Sequence, residues 1–115
     1  MSPTQRSLKN LRERGYMVAV VEKYNAHIKR RIDLWGFGDL LACRLPDEDG
    51  ISAMPVIVQT TTASNMASRR TKIAESEEAR FWKACGGAVL LHGWAKRPPL
   101  KGKKRIRVEL KEEWI

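Results

Sequence analysis

Asp39 and Gln59 are the residues whose types and positions most suggest chemistry. Asp39 precedes the apolar part of the run "GFGDLLA" (36–42), and Gln59 follows the apolar part of "VIVQTT" (56–61). Both side chains offer oxygen atoms, the ligands that Mg²⁺ prefers in proteins. If the two runs are neighbouring strands, their ends can hold a metal ion jointly. The competing interpretation is that each residue simply bonds nearby backbone at a strand end.

Residue numbering supports the paired arrangement. Residues that face each other across an antiparallel hairpin have a constant sum of residue numbers. A turn centred near Asp49 predicts a sum of 98, which is also the sum for Asp39 and Gln59. Directly opposed residues have Cβ atoms about 4.5–5.5 Å apart. Strand alternation then places Thr61 on the face of Gln59.

The chain around these residues predicts an α/β fold with a mixed sheet of about five strands. The first strand is expected to run antiparallel to the second, which places Glu22 at Asp39's end of the sheet. A right-handed crossover makes the fourth strand parallel to the third, which brings His92, Trp94 and Lys96 towards the same edge. The order is α-β-β-β-α-β-β. The predicted helices are 2–14 and 64–85, with a restart at Ser76; the strands are 16–22, 39–45, 53–59, 88–94 and 105–111, the last half-buried; residues 23–35 are a loop or irregular crossing, and 46–50 a turn.

Composition narrows the class of partner. The net charge is +9 from 22 Lys and Arg against 13 Asp and Glu, which favours a polyanion such as nucleic acid. Cys43 and Cys85 lie in apolar contexts and, with only two histidines, do not form a zinc site. We expect two buried free thiols in a reducing compartment. The length of 115 residues suits one domain (1–115). No apolar run reaches the length of a membrane span, so we expect the protein in the cytoplasm of a prokaryotic or phage-infected cell.

The order of these motifs resembles the PD-(D/E)XK nuclease superfamily. "GFGDLLA", then "VIVQTT", a basic helix and "GGAVLLHGW" are most similar to its small Holliday-junction-resolvase-like and virus-type replication-repair members. Asp39 matches the motif Asp, Gln59 the Glu/Gln position, and Glu22 an acidic residue near the start of the fold. The resemblance covers roughly residues 2–96 and implies a restriction-endonuclease-like core. The motif lysine is replaced by Thr61, which cannot carry positive charge.

The resemblance implies a DNA endonuclease dependent on Mg²⁺ or Mn²⁺, acting on branched or structured DNA. Asp39 is then the direct ligand, with the Gln59 oxygen, the Thr60 carbonyl and Glu22 completing the site. Lys72 or Lys96 replaces the lysine missing at Thr61, and we favour Lys72. The alternative is a non-catalytic DNA-binding protein that keeps the fold, and a more distant one is a winged-helix regulator.

DNA contacts are expected mainly at phosphates, because basic residues are spread over the chain. Trp35 and Trp94 are the tryptophans expected nearest the DNA, whereas Trp82 and Trp114 are expected in the core or an interface. Whether the chain forms a homodimer is left open. The expected phosphate contacts are Lys29, Arg30, Arg31, Arg69, Arg70, Lys72, Lys96, Lys103 and Lys104.

Overall fold

The computed structural model describes residues 1–47 and 54–115. Within these ranges three α-helices and seven strands follow one another, with a short 3₁₀ turn before the second helix. Their bounds are α1 Pro3–Glu13, β1 Met17–Val20, β2 Lys23–Asn25, β3 Arg30–Ile32, β4 Leu40–Cys43, β5 Val56–Thr62, the 3₁₀ turn Ala63–Asn65, α2 Met66–Ala74, α3 Glu77–Ala84, β6 Ala88–Arg97 and β7 Arg107–Trp114. Among the described residues, no helix is both long and apolar enough to cross a membrane.

Five strands form one mixed sheet, as predicted, and their order is β1-β4-β5-β6-β7. Only β5 and β6 run parallel, because the helical crossover between them returns the chain to the same end of the sheet. In the β4–β5 hairpin, Leu40 pairs with Val58 and Ala42 with Val56. These pairs keep the predicted sum of 98, so the register that places Asp39 opposite Gln59 is confirmed.

The two faces of the sheet carry separate cores. Val56 and Val58 of β5 pack with Leu8 and Leu11 of α1. Ile57, between them, packs on the opposite face with the residues of α2 and α3. Strand alternation therefore directs Gln59 and Thr61 towards α2. The site residues of β5 thus lie on the face where the helix that carries Lys72 begins.

Gly93 lets α2 begin close to the sheet. A Cβ atom at this position would overlap the Met66 side chain and lie 3.2 Å from the Cα of Ala63. Any larger residue would push the start of α2 away from β6. The close approach fixes the distance between α2 and the end of β5.

One predicted element differs from the observed one, and the division of another is confirmed. Residues 23–35 are not a loop but a two-stranded hairpin, β2–β3, followed by a tight turn. Helix 64–85 is two helices, and the predicted restart is confirmed because the Ser76 hydroxyl accepts a hydrogen bond from the amide of Ala79. The predicted turn at 46–50 and the predicted start of a strand at residue 53 fall largely outside the described residues.

Burial differs from expectation at β7 and at the cysteines. β7 was expected to be half-buried, but most of its side chains are exposed, because the helices pack mainly on β1, β4, β5 and β6. Cys85 is exposed at the end of α3 and Cys43 only half-buried, so the prediction of two buried thiols is wrong.

Candidate metal centre

Three carboxylates meet at one end of the sheet. Glu22 follows β1, Asp33 follows β3 and Asp39 precedes β4, and one oxygen of each lies within 4.8 Å of the others. Glu22 and Asp33 flank the β2–β3 hairpin, so pairing of that hairpin brings them together. Sequence reasoning missed Asp33 because residues 23–35 were assigned to a loop. The signal available was its place directly before the "LWGFG" turn that leads to Asp39.

Asp39 connects the ends of three strands. Its Oδ2 accepts hydrogen bonds from Gln59 Nε2 at 2.6 Å, from the Thr60 amide at 2.7 Å and from the Thr60 hydroxyl at 3.1 Å. Its backbone carbonyl accepts from the amides of Val21 at 2.9 Å and Glu22 at 3.3 Å. One residue therefore joins the end of β1 to the end of β5.

Asp39 is buried beside two other carboxyl groups. Burial, followed by hydrogen bonding to the carboxyls of Glu22 and Asp33, raises the pKa of Asp39 to about 8. The Thr60 amide opposes this shift, but the cost of removing a carboxylate from water exceeds its effect. Asp39 thus holds a proton at neutral pH unless a cation takes its place.

Gln59 carries a buried oxygen whose hydrogen-bonding capacity is unused among the described residues. Its side chain is buried, and its Oε1 has no hydrogen-bond partner among the described residues. A buried amide oxygen without a partner is costly. The same amide donates to Asp39 through Nε2, so the unpaired oxygen belongs to the group that contacts this carboxylate. Carboxylate and amide oxygens form a donor set that suits Mg²⁺ or Mn²⁺.

Two basic side chains lie against the acidic cluster. Arg31 bonds Glu22 at 2.9 Å, and the ammonium of Lys72 lies 3.8 Å from Asp33. Both line a pocket of about 370 Å³ that also contains Arg30, Arg69 and Asp33. The fold therefore brings together four of the predicted phosphate-binding residues and places them beside the carboxylates.

Other predicted site residues lie elsewhere. Lys96 lines a different pocket, with Trp94 and the N-terminal residues of α1. Arg70 bonds Glu113 of β7 at 2.6 Å rather than facing the cluster. Thr61 is buried on the face of Gln59. Lys29 is exposed in the β2–β3 turn, and Lys103 and Lys104 are exposed in the β6–β7 loop.

The expectation that His92 and Trp94 approach this edge is wrong for their side chains. His92 pairs with Thr60 in the sheet, but its ring lies on the α1 face. There it is buried between Ser7 at 2.9 Å and Glu112 at 2.8 Å, and the Trp94 indole donates to the same Ser7 hydroxyl.

Comparison with known proteins finds no matching family model, no similar curated protein and no similar solved structure.

Proposed function

We propose that the protein is a metal-dependent DNA endonuclease. The observation that carries this proposal is the convergence of Glu22, Asp33 and Asp39 beside the unpaired oxygen of Gln59. Such a set, in a chain of net charge +9, combines a cation site with affinity for a polyanion. Resemblance to the PD-(D/E)XK superfamily at Asp39 and Gln59 supports the same conclusion.

The residues present fit Mg²⁺ or Mn²⁺. Asp39, Glu22, Asp33 and the Oε1 of Gln59 would hold it, with the carbonyl of Thr60 as a further predicted ligand. When bound, such an ion supplies charge neutralisation at the phosphate and lowers the pKa of a coordinated water. The hydrogen bonds from Gln59 and Thr60 fix Asp39 before any ligand arrives, so little rearrangement is needed.

Hydrolysis adds water across a phosphodiester bond. The water oxygen bonds to phosphorus, the ester P–O bond breaks, and the leaving oxygen takes up a proton. Lys72 is the chain's best replacement for the lysine missing at Thr61, since its ammonium already lies beside Asp33. Released from Asp33, it can neutralise charge on the phosphate in the transition state. Arg30, Arg31 and Arg69 of the same pocket would hold the flanking phosphates.

The test is incubation of the purified protein with labelled duplex, single-stranded and branched DNA in Mg²⁺, Mn²⁺ or EDTA. We expect cleavage that needs the metal and is lost in Asp39→Asn, Asp33→Asn and Glu22→Gln. Asp47→Asn is the matched control, because Asp47 is an exposed acid outside the cluster. It should cut at the parent rate.

The outcomes separate this proposal from its main rival. Cleavage by Asp39→Asn at the parent rate would show that the chemistry lies elsewhere. If the parent binds DNA but cuts no substrate with any metal, the protein is a non-catalytic binding module. Thr61 in the lysine position is the feature that favours this rival.

A further inference from the structure

An aromatic pocket adjoins the acidic cluster on the side of the β2–β3 hairpin. It has a volume of about 560 Å³ and is lined by Tyr24, Asn25, His27, Asp33 and Trp35, among others. Asp33 and Ile32 line both this pocket and the basic pocket that holds Lys72. Asp33 of the acidic cluster therefore lies between a pocket lined by cationic side chains and a pocket lined by aromatic rings.

Trp35 occupies this position against the local backbone preference. Trp35 and Gly36 have φ values of +52° and +77°, and the Phe37 amide bonds the Leu34 carbonyl at 3.1 Å. This is the geometry of a type I′ turn, in which Asn-Gly is the favoured pair. A bulky residue with positive φ is rare and strained, and such strain concentrates at functional sites. The Trp35 ring lies 6.1 Å from that of Trp82, yet Trp35 is 54% exposed, so more than half of its surface stays available to a ligand.

We propose that this pocket receives an unpaired nucleobase of the DNA strand whose phosphate lies at the acidic cluster. The inference rests on the proposed function and narrows its substrate to DNA with single-stranded character. Tyr24 and Trp35 provide flat faces on which a base can stack. Every base has such a face, so the preference is for unpaired DNA and not for a sequence.

Charge decides between a nucleobase and an apolar peptide as the occupant. The hairpin that forms one wall carries Lys23, Lys29, Arg30 and Arg31, and the pocket shares Ile32 and Asp33 with the basic one. A strand that follows these cations can leave its phosphate at the carboxylates and its base between the rings. On the other side of Trp35 a second apolar pocket is lined by Glu77 and Glu78, which repel phosphate. The hairpin side is therefore the one that suits a nucleotide.

The test measures binding of a fluorescent single strand, a three-way junction and a duplex in EDTA, where no metal-dependent cleavage occurs. Trp35→Asn introduces the favoured turn pair, so the protein should stay folded. Loss of one base stack should weaken binding of the single strand and the junction by roughly fivefold to 100-fold. Duplex affinity should change by less than twofold. Tyr24→Leu, which keeps an apolar side chain, should give the same selective loss.

Trp114→Asn is the matched control, because Trp114 is 53% exposed and lies on the far edge strand, β7. It should bind all three substrates like the parent. Equal effects of Trp35→Asn on duplex and single strand, or no effect, would overturn the pocket assignment while leaving the endonuclease proposal intact. A parent that binds no DNA would instead defeat the endonuclease proposal. If Trp35→Asn unfolds by circular dichroism, Tyr24→Leu and Trp35→Phe decide, with Phe expected to retain the preference.

Discussion

Asp39 is expected in two states, protonated when no cation is bound and ionised when Mg²⁺ is bound. Without a cation, burial and the neighbouring carboxyls hold its pKa at about 8, so the residue is mostly protonated at neutral pH. Binding of Mg²⁺ must then displace that proton. Affinity for Mg²⁺ should rise about tenfold per pH unit below pH 8 and level off above it. Calorimetry in buffers of different ionisation enthalpy should detect close to one proton released per metal at pH 7. A Mg²⁺ affinity that is flat from pH 6 to 8 would contradict the assignment.

The same shift predicts an effect on stability. The pKa of Asp39 is higher in the folded chain than its ordinary value near 3.9. The stability it contributes is complete below pH 4 and is lost as pH rises through about 8. In EDTA, Asp39→Asn should therefore have a higher free energy of unfolding than the parent at pH 9. At pH 4 the substitution should give no increase over the parent. Urea unfolding at both pH values measures the difference, with Asp47→Asn as the control.

Lys72 and Lys96 can be separated by kinetics. Lys72 lies 3.8 Å from Asp33, whereas Lys96 lines a pocket beside Trp94. Lys72→Ala should lower kcat by about 100-fold with little change in KM, because its charge is needed mainly in the transition state. Lys96→Ala should cut at nearly the parent rate. The reverse order would assign the replacement cation to Lys96.

The candidate site was predictable where it depends on regular pairing. Asp39 and Gln59 follow from the hairpin register, which needs only a turn position and the strand period. Asp33 was missed because its position depends on the pairing of two exposed three-residue strands. Those strands lack the apolar alternation that identifies a strand in sequence. The prediction that β7 is half-buried failed for a related reason. Alternation of apolar and polar residues indicates a strand, but it does not show whether a helix covers the apolar face.

At the scale of elements, His92 joins α1 to β6 and β7. Its Nδ1 meets Ser7, its Nε2 meets Glu112, and Glu112 bonds Arg14 at 2.6 Å. Burial lowers the pKa of His92, although the bond to Glu112 partly opposes the shift. The unfolded chain thus binds its proton more readily than the folded one. Stability linked to His92 is therefore present at neutral pH and lost as pH falls through about 6.5.

This linkage predicts a difference between two histidine variants. At pH 7.5, His92→Gln should have a lower free energy of unfolding than the parent. When the pH is lowered from 7.5 to 5.5, however, that free energy should fall less in His92→Gln than in the parent. His27→Gln should follow the parent, since His27 is exposed in the β2–β3 turn. Urea unfolding at constant ionic strength measures both. Identical pH dependence in the parent and His92→Gln would show that the buried ring is not the source.

Across the whole molecule, two basic projections leave the same end of the sheet. The end of β1 and the start of β4 lie at the C-terminal end of β5, and β6 runs parallel to β5. The β2–β3 hairpin and the β6–β7 loop therefore extend from that end on either side of the carboxylates. The two projections start from β1 and β6, which are three strand spacings apart, or about 14 Å, so they can contact different phosphates of one DNA molecule.

The salt dependence of DNA binding tests this arrangement. On duplex DNA the logarithm of affinity should fall linearly with the logarithm of salt concentration, with a slope of about −0.9 per phosphate contacted. Lys29→Ala/Arg30→Ala in the hairpin and Lys103→Ala/Lys104→Ala in the loop should each flatten that slope, because each removes two counter-charges. Arg80→Ala/Lys83→Ala is the matched control: it also removes two charges, from α3, which leads into the opposite end of β6. If that control flattens the slope as much as the other two, net charge alone attracts the DNA, and the two projections do not form the binding surface.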